Sequence, residues 1–115
     1  MGQDVCLFCR IANRSVPAEI VAEEEELLAF KDINPQAPAH LLIIPKAHLP
    51  TLADATDAHT TLLGHAVLFA GRLAKHHQLD AGYRLVLNCG AQAGQSVWHL
   101  HLHLLGGRAL RWPPG

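Results

Sequence analysis

The sequence predicts an α+β fold, in which one long and one short helix accompany an antiparallel sheet of about five strands. Short apolar stretches, most of them separated only by turn residues, are typical of strands that pair with their neighbours along the chain. A single long helical pattern interrupts them, which is too little helix for a parallel doubly wound sheet. At 115 residues the chain has the length of one ordinary domain, and we expect a single domain over residues 1–115.

Apolar residues spaced three and four positions apart predict the two helices. The short helix ends before Pro17 and carries four such residues: Leu7, Phe8, Ile11 and Ala12. The long helix covers residues 57–78. Its apolar residues exceed what one small sheet can cover, with Leu68 and Phe69 as the surplus, and this excess predicts a partner subunit.

Five stretches bounded by turn residues predict the strands. In chain order they are residues 19–22, 27–32, 40–45, 83–88 and 97–105. The first two are interpreted as a hairpin around the acidic run 23–26, which we expect to be a solvated turn. The third stretch is too short and too rich in β-branched residues for a helix, and we predict that it is a central strand.

Composition and charge argue against several classes of protein. No apolar run reaches the length of a membrane span, and the first residues carry no basic region followed by an apolar core, so we expect a cytoplasmic protein without a membrane partner. The net charge is -1 and the basic residues are scattered, which argues against a nucleic-acid partner. Three cysteines in such a chain argue against a disulfide framework.

Three histidines, His99, His101 and His103, alternate with leucines near the end of the chain. In a strand this alternation places the imidazoles on one face, while the leucines on the other face fix the register. Neighbouring imidazoles disfavour each other's charged form, so neutral ring nitrogens are expected near neutral pH. Such a group suits nucleophilic catalysis or metal binding; the alternative is an ordinary solvent-facing sheet surface.

The loop before these histidines predicts a phosphate cradle. Gly94, Gln95 and Ser96 can present backbone N–H groups and a hydroxyl to an anion, since glycine permits the backbone to approach closely. Asn88, at the end of the preceding strand, can donate a hydrogen bond to the same anion. The alternatives are a plain hairpin connection and an asparagine that only forms a turn.

Several motifs in order resemble the HINT branch of the histidine-triad (HIT) superfamily. The run 99–105 matches the histidine-triad pattern in full, and further matching segments lie at 32–40, 44–48, 94–96, 105–108 and 112–115. The resemblance covers nearly the whole chain. It implies a HIT-like fold and a homodimer whose two five-stranded sheets join into one of ten strands. It also implies hydrolysis of nucleoside phosphoramidates, such as adenylated amines, to a nucleoside monophosphate, with a purine preference and no cofactor for catalysis.

The resemblance assigns roles around the phosphorus atom. His101 attacks phosphorus and forms a nucleotidyl-histidine intermediate, which water then hydrolyses. His103, Asn88 and Ser96 hold the phosphate, and the backbone carbonyl of His99 orients the nucleophile. The residue that protonates the departing nitrogen is left open.

The resemblance also implies residues further from the phosphorus. His40 would lie near the triad, and Trp112 would approach the site of the neighbouring subunit. Five residues would form the nucleoside pocket: Phe8, Ile11, Phe30, Asp32 and Ile33. Of these, Asp32 would accept hydrogen bonds from the ribose hydroxyls. Taken singly, the four apolar residues of this set are more often core residues than ligand walls.

Cys6 and Cys9 have the two-residue spacing with which one turn offers two thiolates to a metal, but this is half of a site. Bacterial relatives with this pair resemble zinc proteins in which two histidines complete a tetrahedral set. By that resemblance the histidines here are His48 and His99, and the ion is a structural zinc. The alternative is a pair of reduced, half-buried thiols on a helix; Cys89 is interpreted as a packed thiol.

Two other functions remain open at this point. Other HIT branches hydrolyse dinucleoside polyphosphates or transfer nucleotides through the same covalent intermediate. A different class of function is a non-catalytic module in which the histidines bind a nucleotide or a metal without reacting. Turnover of an adenosine phosphoramidate separates the enzymes from the module.

Overall fold

The structure of the protein is a computed structural model that describes residues 5–115. Its helices are α1 (Leu7–Ala12) and α2 (Thr60–His76), and its strands are β1 (Ile20–Glu23), β2 (Leu27–Lys31), β3 (Ala39–Pro45), β4 (Tyr83–Val86) and β5 (Leu102–Gly106). The strands form one sheet in the order β1-β2-β3-β5-β4, and every neighbouring pair is antiparallel. The predicted α+β class and its five-stranded antiparallel sheet are confirmed.

Each face of the sheet is covered by one of the helices. On one face, apolar residues of the inner strands pack with α2 around Phe69, Ala70 and Leu73. On the opposite face, Phe8 and Ile11 of α1 pack against a second apolar cluster: Leu28, Phe30, Leu42 and Ile44. Because side chains alternate along a strand, β3 contributes to both clusters and is buried on both faces. This explains why its sequence is continuously apolar, and it confirms the predicted central strand.

The long helix is shorter than predicted, and Phe69, which was expected to be left uncovered by the sheet, faces the core. The predicted range 57–78 begins with a 3-10 turn at Asp57–His59, and the α-helix itself covers Thr60–His76. Phe69, predicted to be surplus, is buried in the core of its own chain, whereas Leu68 is exposed. No helix within residues 5–115 combines the length and apolar character that crossing a bilayer requires.

The last strand begins later than predicted. The expected strand 97–105 pairs only from Leu102, so His99 and His101 lie in the irregular segment before it. Pairing with β3 stops at Ile43, near Pro45, which has no N–H for the ladder. The N–H of Leu100 instead donates to the carbonyl of Leu49 at 2.7 Å. The alternating leucines are nevertheless buried as predicted.

Candidate active site

The imidazole of His101 is held in one tautomer by the backbone. Its Nδ1 lies 2.7 Å from the carbonyl oxygen of His99, which can only accept, so Nδ1 carries the proton and donates it. The lone pair is therefore on Nε2. His101 is largely buried, yet it lines a cavity beside His103 and Ser96. This arrangement provides an unprotonated nitrogen, fixed in orientation, next to a space that can hold a ligand.

His103 receives its tautomer through His40. The backbone N–H of Gln36 donates to Nδ1 of His40 at 3.0 Å, so His40 carries its proton on Nε2. That Nε2 lies 2.9 Å from Nδ1 of His103 and 3.4 Å from a carboxylate oxygen of Asp32. His40 therefore donates to His103, and Nε2–H of His103 remains as a donor for a bound ligand. Because Nε2 of His40 carries a proton, it has no lone pair for a metal ion. Asp32, His40 and His103 therefore form a chain of hydrogen bonds and not a metal site.

Burial lowers the pKa of three imidazoles of the site, those of His103, His40 and His99, and so favours their uncharged form. Desolvation, and after it the neighbouring imidazoles of His101 and His40, lower the pKa of His103 to about 4, while Asp32 opposes the change. Desolvation also lowers the pKa of His40, again against the nearby carboxylate of Asp32, and the pKa of His99. The neutral nitrogens predicted near pH 7 therefore arise first from burial and only second from mutual repulsion.

The shifted pKa of His103 predicts how stability depends on pH. Between its usual value of 6.5 and about 4, the unfolded chain binds more protons at this position than the folded chain. We expect the free energy of unfolding to fall as pH is lowered through this window, which urea denaturation at a series of pH values measures. His103→Gln should flatten the decline, whereas the exposed control His76→Ala should not. An equally steep decline in His103→Gln would contradict this explanation.

A cavity of ≈ 400 Å³ lies beside the histidines, between α1 and the sheet. Eight of the predicted site residues line it: Phe8, Ile11, Phe30, Asp32, Ile33, Ser96, His101 and His103. Most of its wall is apolar, and Asp32 provides a carboxylate at the border. Several wall residues, among them Leu42 and Val97, were not predicted, because nothing local distinguishes them from core residues. Gln36 was not predicted either, since its contribution is a backbone N–H.

The structure departs from the predicted phosphate cradle at two residues. The backbone N–H groups of Gly94 and Gln95 donate within the loop, to the carbonyls of Ala91 and Gly90. The side chain of Gln95 is buried and accepts from the N–H of Gly90 at 2.9 Å, so it braces the loop. Of the three predicted cradle residues, Ser96 is the one that lines the cavity.

Two further predicted residues lie outside the cavity lining. Asn88 lies near Gly94, with its Nδ2 3.9 Å from the position that a Cβ at Gly94 would take. Gly94 has a φ of 98°, which favours glycine and lets the loop turn at this point. Trp112 is 83% exposed within its own chain. The roles of Asn88 and Trp112 toward a ligand stay predictions.

Four side chains assemble the predicted metal group at the base of α1. The ligand atoms of Cys6, Cys9, His48 and His99 all lie within 4.8 Å of one another. Nδ1 of His99 is 3.3 Å from the sulfur of Cys6, 3.5 Å from that of Cys9 and 3.3 Å from Nδ1 of His48. Ligands of a tetrahedral zinc are separated by about 3.3–3.8 Å, given the usual Zn–N and Zn–S bond lengths. The donor set and its spacing therefore fit Zn²⁺.

The tautomer of His99 also fits a metal ligand. Its Nε2 lies 2.7 Å from the carbonyl oxygen of Pro45, so Nε2 carries the proton and Nδ1 presents its lone pair to the two sulfurs. A hydrogen bond from the second ring nitrogen is the usual way in which a metal-binding histidine is oriented. His99 thus contacts the metal group through its side chain and His101 through its carbonyl.

Comparison with known proteins places this chain and its fold in a family. The HIT domain family matches residues 13–110. An uncharacterized HIT-like protein of Synechococcus elongatus is 50% identical over 115 residues, covering 100% of both chains. A crystal structure of a HIT family hydrolase from Legionella pneumophila has a TM-score of 0.94 and 52% identity, over 96% of this chain and 99% of that one. A histidine triad protein from Clostridium difficile has a TM-score of 0.92 and 40% identity, over 96% and 97%. The chain belongs to the HIT family.

Proposed function

We propose that the protein is a hydrolase of the HINT branch that cleaves the P–N bond of nucleoside phosphoramidates through a nucleotidyl-His101 intermediate. The observation that carries the proposal is the backbone anchor on Nδ1 of His101, which leaves the Nε2 lone pair beside a cavity of nucleoside size. The similarity to a HIT family hydrolase from Legionella pneumophila supports hydrolysis. The P–N specificity and the HINT branch rest on the sequence motifs.

In the proposed reaction, the nucleoside occupies the apolar cavity, and the carboxylate of Asp32 accepts hydrogen bonds from the ribose hydroxyls. Nε2 of His101 attacks phosphorus, the P–N bond breaks, and the departing amine takes up a proton. The N–H of His103 and the hydroxyl of Ser96 donate to the phosphoryl oxygens, where negative charge has to be stabilised. Water then cleaves the bond between phosphorus and His101, which releases the nucleoside monophosphate and restores the imidazole.

The proposed metal is a structural zinc, and no catalytic step uses it. Cys6, Cys9, His48 and His99 would hold the ion, which would cross-link α1 to the segment after β3 and to the segment before β5. Two of its ligands would come from α1 and from the residue that caps it. The helix α1 has only six residues. A helix of this length is not stable by itself, so the cross-link would add to the packing of Phe8 and Ile11.

Substrate comparison tests the proposed activity. Adenosine 5′-phosphoramidate, diadenosine tetraphosphate and ATP are incubated with the purified full chain, without added divalent metal, and AMP formation is measured by chromatography. We expect the phosphoramidate to react at least about 100-fold faster, because the site has to match a transition state with a departing amine. Faster cleavage of the tetraphosphate would assign the protein to another HIT branch. Tight binding of AMP without turnover of any substrate would make it a binding module.

We further propose a homodimer in which two copies of β4 pair and give a ten-stranded sheet. β4 is an edge strand, and an unpaired edge offers N–H and C=O groups to a second strand. Nearby on α2, Val67 and Leu68 are 48% and 61% exposed, which supports an apolar contact between copies. In such a dimer Trp112 is proposed to reach the site of the partner.

A charge placed on α2 tests the dimer. We expect Leu68→Glu to shift the protein from dimer to monomer at micromolar concentration, because the glutamate would be buried without a partner. Light scattering coupled to size-exclusion chromatography measures the mass. Leu52→Glu is the matched control, since Leu52 is an exposed leucine outside α2 and β4. A monomeric wild type, or a Leu68→Glu dimer, would contradict the proposed interface.

A further inference from the structure

The thiol pair and the nucleoside cavity share one short helix. Cys6 is the N-terminal cap of α1, and its sulfur accepts a hydrogen bond from the N–H of Cys9 at 3.4 Å. Phe8 and Ile11, on the same helix, line the cavity. The segment that offers two sulfurs to a metal is therefore also a wall of the candidate active site. A chemical change at the sulfurs acts directly on that wall.

The same helix touches the histidines. The ring of Phe8 meets the ring of His101 edge-on, with centroids 5.1 Å apart, and the ring of His99 at 6.0 Å. The sulfurs of Cys6 and Cys9 lie 3.3 and 3.5 Å from Nδ1 of His99, whose carbonyl oxygen fixes the tautomer of His101. The contacts of the two sulfurs with His99 therefore influence both the cavity wall, through α1, and the orientation of His101, through the carbonyl of His99.

The geometry of the pair allows a disulfide. The residues are three apart, and the sulfurs lie within 4.8 Å of each other, whereas a disulfide needs about 2.05 Å. Small rotations about the side-chain bonds and a shift of the helix cap bring them together. Both sulfurs would then be lost as metal ligands. Cys9 is partly exposed, whereas Cys6 is buried, so an oxidant in solvent reaches Cys9 first.

We propose that Cys6 and Cys9 form an oxidation site that controls nucleotide binding, in which disulfide formation expels the metal ion and loosens α1 from the cavity. This inference rests on the proposed function. The oxidant is a peroxide. The sulfur of Cys9 attacks one peroxide oxygen, the O–O bond breaks, and a sulfenic acid and hydroxide form. The sulfur of Cys6 then attacks that of Cys9 and releases a second hydroxide. The two sulfurs lose two electrons, the peroxide gains them, and both hydroxides take up protons as water.

Loss of the two sulfurs as metal ligands weakens zinc binding and, through α1, nucleotide binding. His48 and His99 alone are two neutral ligands, which bind a divalent zinc weakly compared with four ligands that include two thiolates. Without the ion, α1 keeps only its apolar contacts and opens more often. Nucleotide affinity falls because the closed cavity is populated for less of the time. Reduction and added zinc restore the closed state.

Titration of the zinc-loaded full chain with hydrogen peroxide tests the inference, in a Cys89→Ser background that removes the third thiol. Zinc release is followed with a metallochromic dye, the disulfide by the loss of two hydrogens in the intact mass, and α1 by hydrogen exchange. AMP affinity is measured by calorimetry before and after oxidation. We expect zinc release and disulfide formation together, faster exchange over residues 7–12, and AMP affinity reduced about tenfold. Treatment with a phosphine reductant and zinc should reverse all four changes.

Controls separate this inference from the proposed function. Cys9→Ser cannot form the disulfide, so peroxide should leave its AMP affinity and its α1 exchange unchanged. A chain that takes up no zinc, retains it after oxidation, or binds AMP equally well in both states overturns the inference alone. A zinc-loaded, reduced chain that binds neither AMP nor a phosphoramidate overturns the proposed function, and the inference falls with it.

Discussion

Replacing His101 with alanine is expected to lower phosphoramidate turnover by at least about 10,000-fold, because the variant has no nucleophile to form the covalent intermediate. AMP affinity should change little, since the rest of the cavity lining, including Asp32, remains in place. Single-turnover measurements with adenosine 5′-phosphoramidate give the rate, and calorimetry gives the affinity. His76→Ala, a substitution at the exposed end of α2, is the matched control and should behave as wild type.

The covalent intermediate offers a second measurement on the wild type. Quenching the reaction within one turnover should leave a nucleotidyl group on the peptide that contains His101, detectable by mass spectrometry at neutral or alkaline pH. His103 lies on the same peptide, so fragmentation has to assign the modified ring. A group on His103, or turnover that persists in His101→Ala, would contradict the proposed roles. A folded His101→Ala variant that no longer binds AMP would show a structural effect instead.

The second large effect is expected in the core. Leu104→Ala should lower the free energy of unfolding by about 4 kcal/mol, within the range measured for buried leucines. Leu104 is fully buried on β5, where it lies opposite Leu41 and Leu85 and faces the cluster under α2. Strands on both sides and the helix above restrict collapse into the space that the missing leucine atoms leave. The expected loss of stability therefore lies in the middle of that range or higher.

Urea denaturation at one fixed protein concentration measures this difference, so that association contributes equally to each variant. Leu52→Ala is the control, because the same atoms are removed from a side chain that is 43% exposed. We expect a loss below about 1 kcal/mol for this variant. Equal losses in the two variants would contradict the assignment of Leu104 to the core.

Periodicity accounts for most of what could be predicted. The continuous apolar run of β3 and the helical spacing of α2 depend on neighbours in the chain, and both were found close to the predicted residues. The alternating leucines were likewise predicted to be buried, although β5 begins only at Leu102. Pairing with β3 stops at Ile43, two residues before Pro45, and no local pattern of residues 97–105 reveals this end point.

The candidate site was less predictable because its decisive contacts depend on the backbone conformation and leave no mark on residue type. The donors and acceptors that set the tautomers of His40, His99 and His101 are backbone groups, and one backbone amide resembles any other in the sequence. The loop of Gly94 and Gln95 has the composition of a phosphate cradle, yet its N–H groups close a turn. The residue type shows that a group can bind an anion; the loop conformation decides whether it is free to do so.

The main-chain anchors of the imidazoles determine how the site responds to substitution. Gln36 N–H, the carbonyl of Pro45 and the carbonyl of His99 are present whatever side chains surround them. The tautomers of His40, His99 and His101 are therefore a property of the path that the polypeptide follows, whereas that of His103 also depends on the side chain of His40. A proline at residue 36 would have no N–H to donate to His40, so it would reassign protons several ångströms away without touching a single imidazole.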